Sequence, residues 1–130
     1  MRYLIDSNLW LYAASGKPQA VQLLDKAAKA EWAGYSAITR LEIFGFPGLG
    51  PSDEAKLRGM LTCFAEVDVD GPVIDRAIEV RRKRRIKAPD AILAATALLM
   101  GATLATRNTQ DFRGIPGLAV EDPFAEGGEE

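Results

Sequence analysis

Short apolar runs alternate along this chain with longer segments of helical period, and no other feature narrows its fold as much. Tyr3-Leu4-Ile5, Gly34-Tyr35-Ser36-Ala37-Ile38, Val67-Asp68-Val69-Asp70, Thr103-Leu104-Ala105-Thr106 and Gly117-Leu118-Ala119-Val120 read as strands, the last of them edge-like. Between them, residues 9–14 read as a first helix. Residues 19–32 carry Ala20, Val21, Leu24, Ala27, Ala28 and Ala30 at helical spacing. A helix beginning near Thr39 weakens at Gly45, Pro47 and Gly48, and Ser52-Asp53-Glu54 opens another with Leu57, Met60, Leu61 and Phe64 on its apolar face. Residues 73–85 place Val73, Ile74, Ala77, Ile78 and Val80 inward, and residues 90–100 are apolar almost all round, as a helix buried in a core is. Strands alternating with helices specify a three-layer α/β/α domain around a mostly parallel central sheet.

A chain of 130 residues is the size of one such domain, long enough to bury a core without a disulfide or metal staple. We expect it to occupy residues 1–124, with 125–130 an acidic, disordered tail. The single cysteine, Cys63, lies between Thr62 and Phe64, which points to a buried thiol in a reducing interior. Asp6 interrupts what would be a signal's apolar region, and the longest nearly apolar stretch, residues 91–105, falls short of a membrane span. The expectation is therefore a cytoplasmic protein with no membrane association.

Four acids stand at the ends of these apolar segments: Asp6, Glu42, Asp90 and Asp111. The chain contains no histidine. That absence removes Ser-His and Cys-His nucleophile pairs and imidazole zinc sites. Hard oxygen ligands for magnesium or manganese remain, and two such ions about 3.5–4 Å apart can clamp a phosphodiester. Each acid also has a local explanation. Asp6 can cap the helix after the first strand, and Thr39 with Glu42 has capping-box spacing. Asp90 lies in a first turn favoured by the helix dipole, and Asp111 can open a turn. In an open parallel sheet, however, ligands bind beyond the carboxyl ends of the strands, where all four would gather. Acids gathered there repel one another unless a cation compensates.

The stretches Leu4-Ile5-Asp6-Ser7-Asn8, Leu41-Glu42, Ala88-Pro89-Asp90-Ala91-Ile92-Leu93-Ala94-Ala95-Thr96-Ala97 and Ala105-Thr106-Arg107-Asn108-Thr109-Gln110-Asp111-Phe112 together resemble the PIN-domain ribonucleases. The likeness is greatest to VapC-type toxins of bacterial type II toxin–antitoxin modules, and the motifs occur in the family's order. The resemblance implies a PIN-like fold and an Mg2+- or Mn2+-dependent endoribonuclease. Asp6 and Asp90 would be the surest metal ligands, with Asp111 next and Glu42 acting through water. Ser7, which replaces the family's more frequent threonine, would support the site together with Thr106 and Asn108. It also implies a cognate antitoxin, bound near the Phe44-Gly45-Phe46-Pro47 stretch, and a homodimer.

Residues 81–87 hold six cations in seven positions: Arg81, Arg82, Lys83, Arg84, Arg85 and Lys87. A solvated helix end explains some of them. Phosphate neutralisation explains the density better, so Arg81, Arg82, Arg84, Arg85 and Lys87 are candidate RNA contacts leading to Asp90. The same cations could receive an acidic antitoxin segment. A catalytically silent PIN-like module that binds RNA or a protein is the principal alternative, but none of the four acids is lost. Aspartyl-nucleophile phosphatases require Asp-x-Asp after the first strand, whereas this chain has Asp6-Ser7-Asn8.

Overall fold

The computed structural model describes residues 1–125. Five strands form one sheet: β1 (Arg2–Ile5), β2 (Trp32–Ser36), β3 (Ala65–Val67), β4 (Thr103–Ala105) and β5 (Val120–Glu121). Their order is β3-β2-β1-β4-β5, and every pairing is parallel. The helices are α1 (Ser7–Ala14), α2 (Pro18–Ala28), α3 (Ala37–Phe44), α4 (Pro51–Leu61), α5 (Gly71–Lys83), α6 (Ala88–Met100) and α7 (Thr109–Phe112).

Side chains on a strand alternate between faces, and here they divide two cores. Tyr3, Ile5 and Ala105 join one apolar cluster with α1, α2 and α4, whereas Leu4 and Leu104 join a second with α5, α6 and α7. Trp10 is fully buried in the first, with edge-on contacts to Tyr35 and Phe64 at centroid distances of 5.8 and 5.1 Å. α6 is buried along most of its length, as its continuous apolar sequence requires. Its buried Thr96 satisfies its hydroxyl by donating to Ile92 O at 2.7 Å. Gly101, at φ 61° and ψ 36°, ends that helix in the left-handed conformation that glycine adopts without a Cβ penalty.

The three-layer expectation holds, with a sheet that is parallel throughout. Several local readings change. Trp32 starts β2 rather than ending a helix, because α2 stops at Ala28. Strand β3 lies at Ala65–Val67, and Asp70 caps α5 by accepting from Val73 N at 3.2 Å. On α5, Val73, Ala77 and Val80 are buried while Ile74 and Ile78 are 40% and 42% exposed, the stripe being narrower than the sequence suggested. Cys63 is exposed, since α4 ends at Leu61 and the turn carries the thiol outward. The acidic tail, apart from Ala125, lies outside the described residues. Among those residues, no helix is long and apolar enough to cross a membrane.

Candidate active site

The strand order reverses direction between β1 and β4, the two strands that lead to the acids. Ile5 pairs with Ala105, so Asp6 and Thr106 emerge side by side at the carboxyl end of the sheet. Asp6 N donates to Ala105 O at 3.0 Å, continuing the ladder by one residue. An open parallel sheet presents its ligand crevice at such a reversal.

Asp6 both caps α1 and stands at this reversal. Its Oδ1 accepts from Ser7 N at 2.6 Å, and its Oδ2 accepts from Thr106 Oγ1 at 2.7 Å. Burial pushes the Asp6 carboxyl above its ordinary pKa; the bonds from Thr106 and Ser7 pull it down, and the charge of Glu42 raises it further. Thr106 is fully buried and also accepts from Asn108 N at 3.0 Å, which fixes the start of the loop beyond β4. Asn108 then donates to Asp111 Oδ2 at 2.5 Å, placing the fourth acid on α7.

Glu42 does not close a capping box. Helix α3 begins at Ala37, and Ser36 caps it by accepting from Ile38 N, so Thr39 and Glu42 already lie within the helix. Glu42 Oε1 accepts from Ser7 Oγ at 2.5 Å, and Ser7 Oγ also approaches Thr39 Oγ1 at 3.4 Å. Asp90 occupies the first turn of α6, which Pro89 opens. Its carboxyl is raised first by burial and then by the charges of Asp6, Asp111 and Glu42, with Lys87 opposing them. One carboxylate thus feels the other three; of the quartet read from the sequence, Asp90 and Asp111 line one cleft, and Asp6 and Glu42 lie near enough for their charges to bear on Asp90.

The donor set is hard oxygen throughout, with acids at four positions and the hydroxyls of Ser7 and Thr106 beside them. Both Asp6 oxygens keep a lone pair beyond their single hydrogen bonds. That chemistry fits a magnesium- or manganese-class cation. As the side chains stand, no three acids among the described residues converge closely enough to hold one ion. A cation would therefore have to draw them inward.

Asp90 and Asp111 line a cleft of about 430 Å3 together with Arg81, Arg84, Arg85, Ile86, Lys87 and Gln110. Arg82 is not among the residues lining it. Arg81 is anchored by donating from Nε to Ile86 O at 3.1 Å, and Arg84 donates to Arg113 O while its buried Nε finds no acceptor among the described residues. Gln110 had no role assigned from sequence, nor had Arg107. Arg107 stacks on Phe124 and Tyr12, residues that no motif joins to it.

The model of the PIN domain matches residues 3–118. The chain belongs to the PIN-domain family. A chain of a toxin–antitoxin complex from Klebsiella pneumoniae is 34% identical to this one at a TM-score of 0.79, covering 94% of this chain and 98% of that one. FitAcB from Neisseria gonorrhoeae is 28% identical with a TM-score of 0.76, covering 94% and 98%. VapBC2 from Rickettsia felis, solved bound to a DNA fragment from its promoter, is 25% identical with a TM-score of 0.80, covering 93% and 98%. No curated protein matches the sequence.

Proposed function

We propose that this PIN domain is a divalent-cation-dependent endoribonuclease and the toxin of a type II toxin–antitoxin pair. The observation that carries the proposal is that the charges of Asp6, Glu42 and Asp111 all bear on Asp90 near the β1/β4 reversal, where Asp90 and Asp111 line a cationic cleft. Asp6 and Asp90 would hold Mg2+ or Mn2+, with Asp111 beside them and Glu42 reaching the site through water. Bound there, the cations would activate water and stabilise charge developing on phosphate oxygens. The chain's own groups set the geometry. Thr106 orients Asp6, Ser7 orients Glu42 and Asn108 orients Asp111, each by a hydrogen bond to a carboxylate oxygen. Arg81, Arg84, Arg85 and Lys87 would neutralise the phosphates of the approaching strand.

Similarity to chains of a toxin–antitoxin complex and of VapBC2 supports a cognate antitoxin as partner. Leu41 is 72% exposed and Phe46 53% exposed, leaving apolar surface around α3 for such a partner. Homodimerisation belongs to the same proposal and is read by light scattering. To test the activity, antitoxin-free protein is incubated with total RNA in magnesium, manganese or EDTA. Cleavage should require the divalent ion and vanish in Asp6→Asn and Asp90→Asn. Cleavage that persists in both variants would falsify the assignment.

A further inference from the structure

Arg107 stands between Thr106 and Asn108, the two residues that orient Asp6 and Asp111, yet its own side chain goes elsewhere. Its guanidinium carbon lies 4.2 Å from the Phe124 ring centroid and 5.3 Å from that of Tyr12. The two rings are 5.4 Å apart and tilted by 51°. Tyr12 and Phe124 are half-buried against the α1–α4 core, whereas Arg107 is exposed. One side of the guanidinium is therefore backed by aromatic carbon, and the residue still presents itself to solvent.

We propose that Arg107, backed by Phe124 and Tyr12, is a stacking subsite for a nucleobase of single-stranded RNA beside the phosphate being cleaved. The inference rests on the ribonuclease reading and deepens it. Bases unstacked from a duplex are held on aromatic rings and on guanidinium planes, and arginine suits this where lysine does not because its cation is flat. The rings beneath Arg107 restrict a long side chain before any ligand arrives, which reduces the ordering cost of binding.

Position supports the same assignment. One residue before Arg107, Thr106 donates to Asp6, so the backbone that carries this guanidinium starts beside the carboxylates. Tyr12 and Phe124 belong to the core on the α1–α4 face, while the cationic cleft is built from α5 and the start of α6 on the other. A strand crossing the acids would leave its phosphates in the cleft and place one base on Arg107. Phosphate binding and base binding would then fall on opposite sides of the scissile bond. The rival role is structural: Arg107 would only fasten Phe124 to α1.

The test measures RNA binding apart from cleavage. Fluorescently labelled oligoadenylate and an abasic ribose-phosphate chain, each of about eight nucleotides, are titrated by anisotropy in calcium at fixed salt. They are compared on the full chain, Arg107→Ala and Arg107→Lys. In the unmutated chain oligoadenylate should bind at least about tenfold more tightly than the abasic chain. Arg107→Ala should collapse that ratio, and Arg107→Lys should collapse it while keeping affinity for the abasic chain. Equal weakening of both ligands would reduce Arg107 to a phosphate contact and overturn the subsite. A lower melting temperature with the ratio unchanged would reduce it to the fastener and overturn it as well. Divalent-dependent cleavage without a base-dependent ratio sinks the subsite alone; a collapsed ratio without cleavage sinks the nuclease reading alone.

Discussion

Ser7 Oγ donates to Glu42 Oε1 at 2.5 Å, tying the first turn of α1 to the middle of α3 across 35 residues of sequence. Ser7 is nearly buried and Glu42 is on the exposed side of its helix, so the bond fixes a carboxylate that solvent would otherwise leave free. It also explains why a hydroxyl follows Asp6, whose own Oδ1 is occupied by the Ser7 backbone N–H.

Ser7→Ala removes that donor without touching an acid. We expect a loss of about 1 kcal/mol in stability, the net worth of one such bond. Cleavage should fall by roughly tenfold because a carboxylate loses its orienting partner. Ser7→Thr keeps the hydroxyl and should restore most of both. Denaturant titration with a matched RNA cleavage assay checks this, and an alanine variant identical to the parent in both would remove Ser7 from the site.

Thr106→Val is a harsher test of positioning, since valine matches threonine in shape. The buried hydroxyl both donates to Asp6 and accepts from Asn108 N, so its loss strips one partner from each. The expected cost is about 1–3 kcal/mol, with Thr106→Ser recovering much of it. One of the bonds that lower the Asp6 pKa also disappears, and the carboxyl should rise further. Carbonyl-carbon NMR titration of Asp6 reads that shift; an unmoved or lowered value contradicts the geometry.

Asp90 supplies a pH prediction. Its folded-state pKa lies above the unfolded value of about 3.9, first through burial and then through the three neighbouring acids. A carboxyl raised in this way is better tolerated protonated. Its favourable contribution is complete below about pH 3.9 and fades as pH rises through the folded pKa. The cation-free protein should therefore lose stability relative to Asp90→Asn as pH rises from 4 to 7. Melting temperatures of the two proteins across that range give the comparison, and magnesium should narrow the gap at neutral pH by compensating the charge. A gap that instead widened toward acid would show that Asp90 is stabilised by its surroundings.

Much of this arrangement was legible because apolar runs end where the acids begin. Tyr3-Leu4-Ile5 and Thr103-Leu104-Ala105 identify the two central strands, and their parallel pairing brings Asp6 to Thr106. Capping chemistry was less legible. Thr39 and Glu42 have the spacing of a capping box, but Ser36 three residues earlier takes the cap and frees Glu42 for Ser7. Trp32 fits a helical repeat and a strand equally well, and only pairing with Arg2 decides between them. The Tyr12, Arg107 and Phe124 stack joins three distant segments, so no periodicity or spacing could have announced it.

The cationic cleft separates residues that hold the fold from those free to hold phosphate. Arg81 is bound to Ile86 O, so Arg81→Gln should lower the melting temperature as well as RNA affinity. Arg85 lines the same cleft, is exposed, and makes no hydrogen bond or ion pair among the described residues. Arg85→Gln should leave the melting temperature unchanged while weakening RNA binding at low salt. For a single strand, each neutralised phosphate contributes roughly 0.7 to the slope of log affinity against log salt. Arg85→Gln should therefore flatten that slope by about this amount, equally for oligoadenylate and the abasic chain. Arg107→Ala should do the reverse, changing the ratio between those ligands more than the slope. If Arg85→Gln left the slope unaltered, the cleft would not be the path of the RNA backbone, and an acidic segment of the antitoxin would become its better occupant.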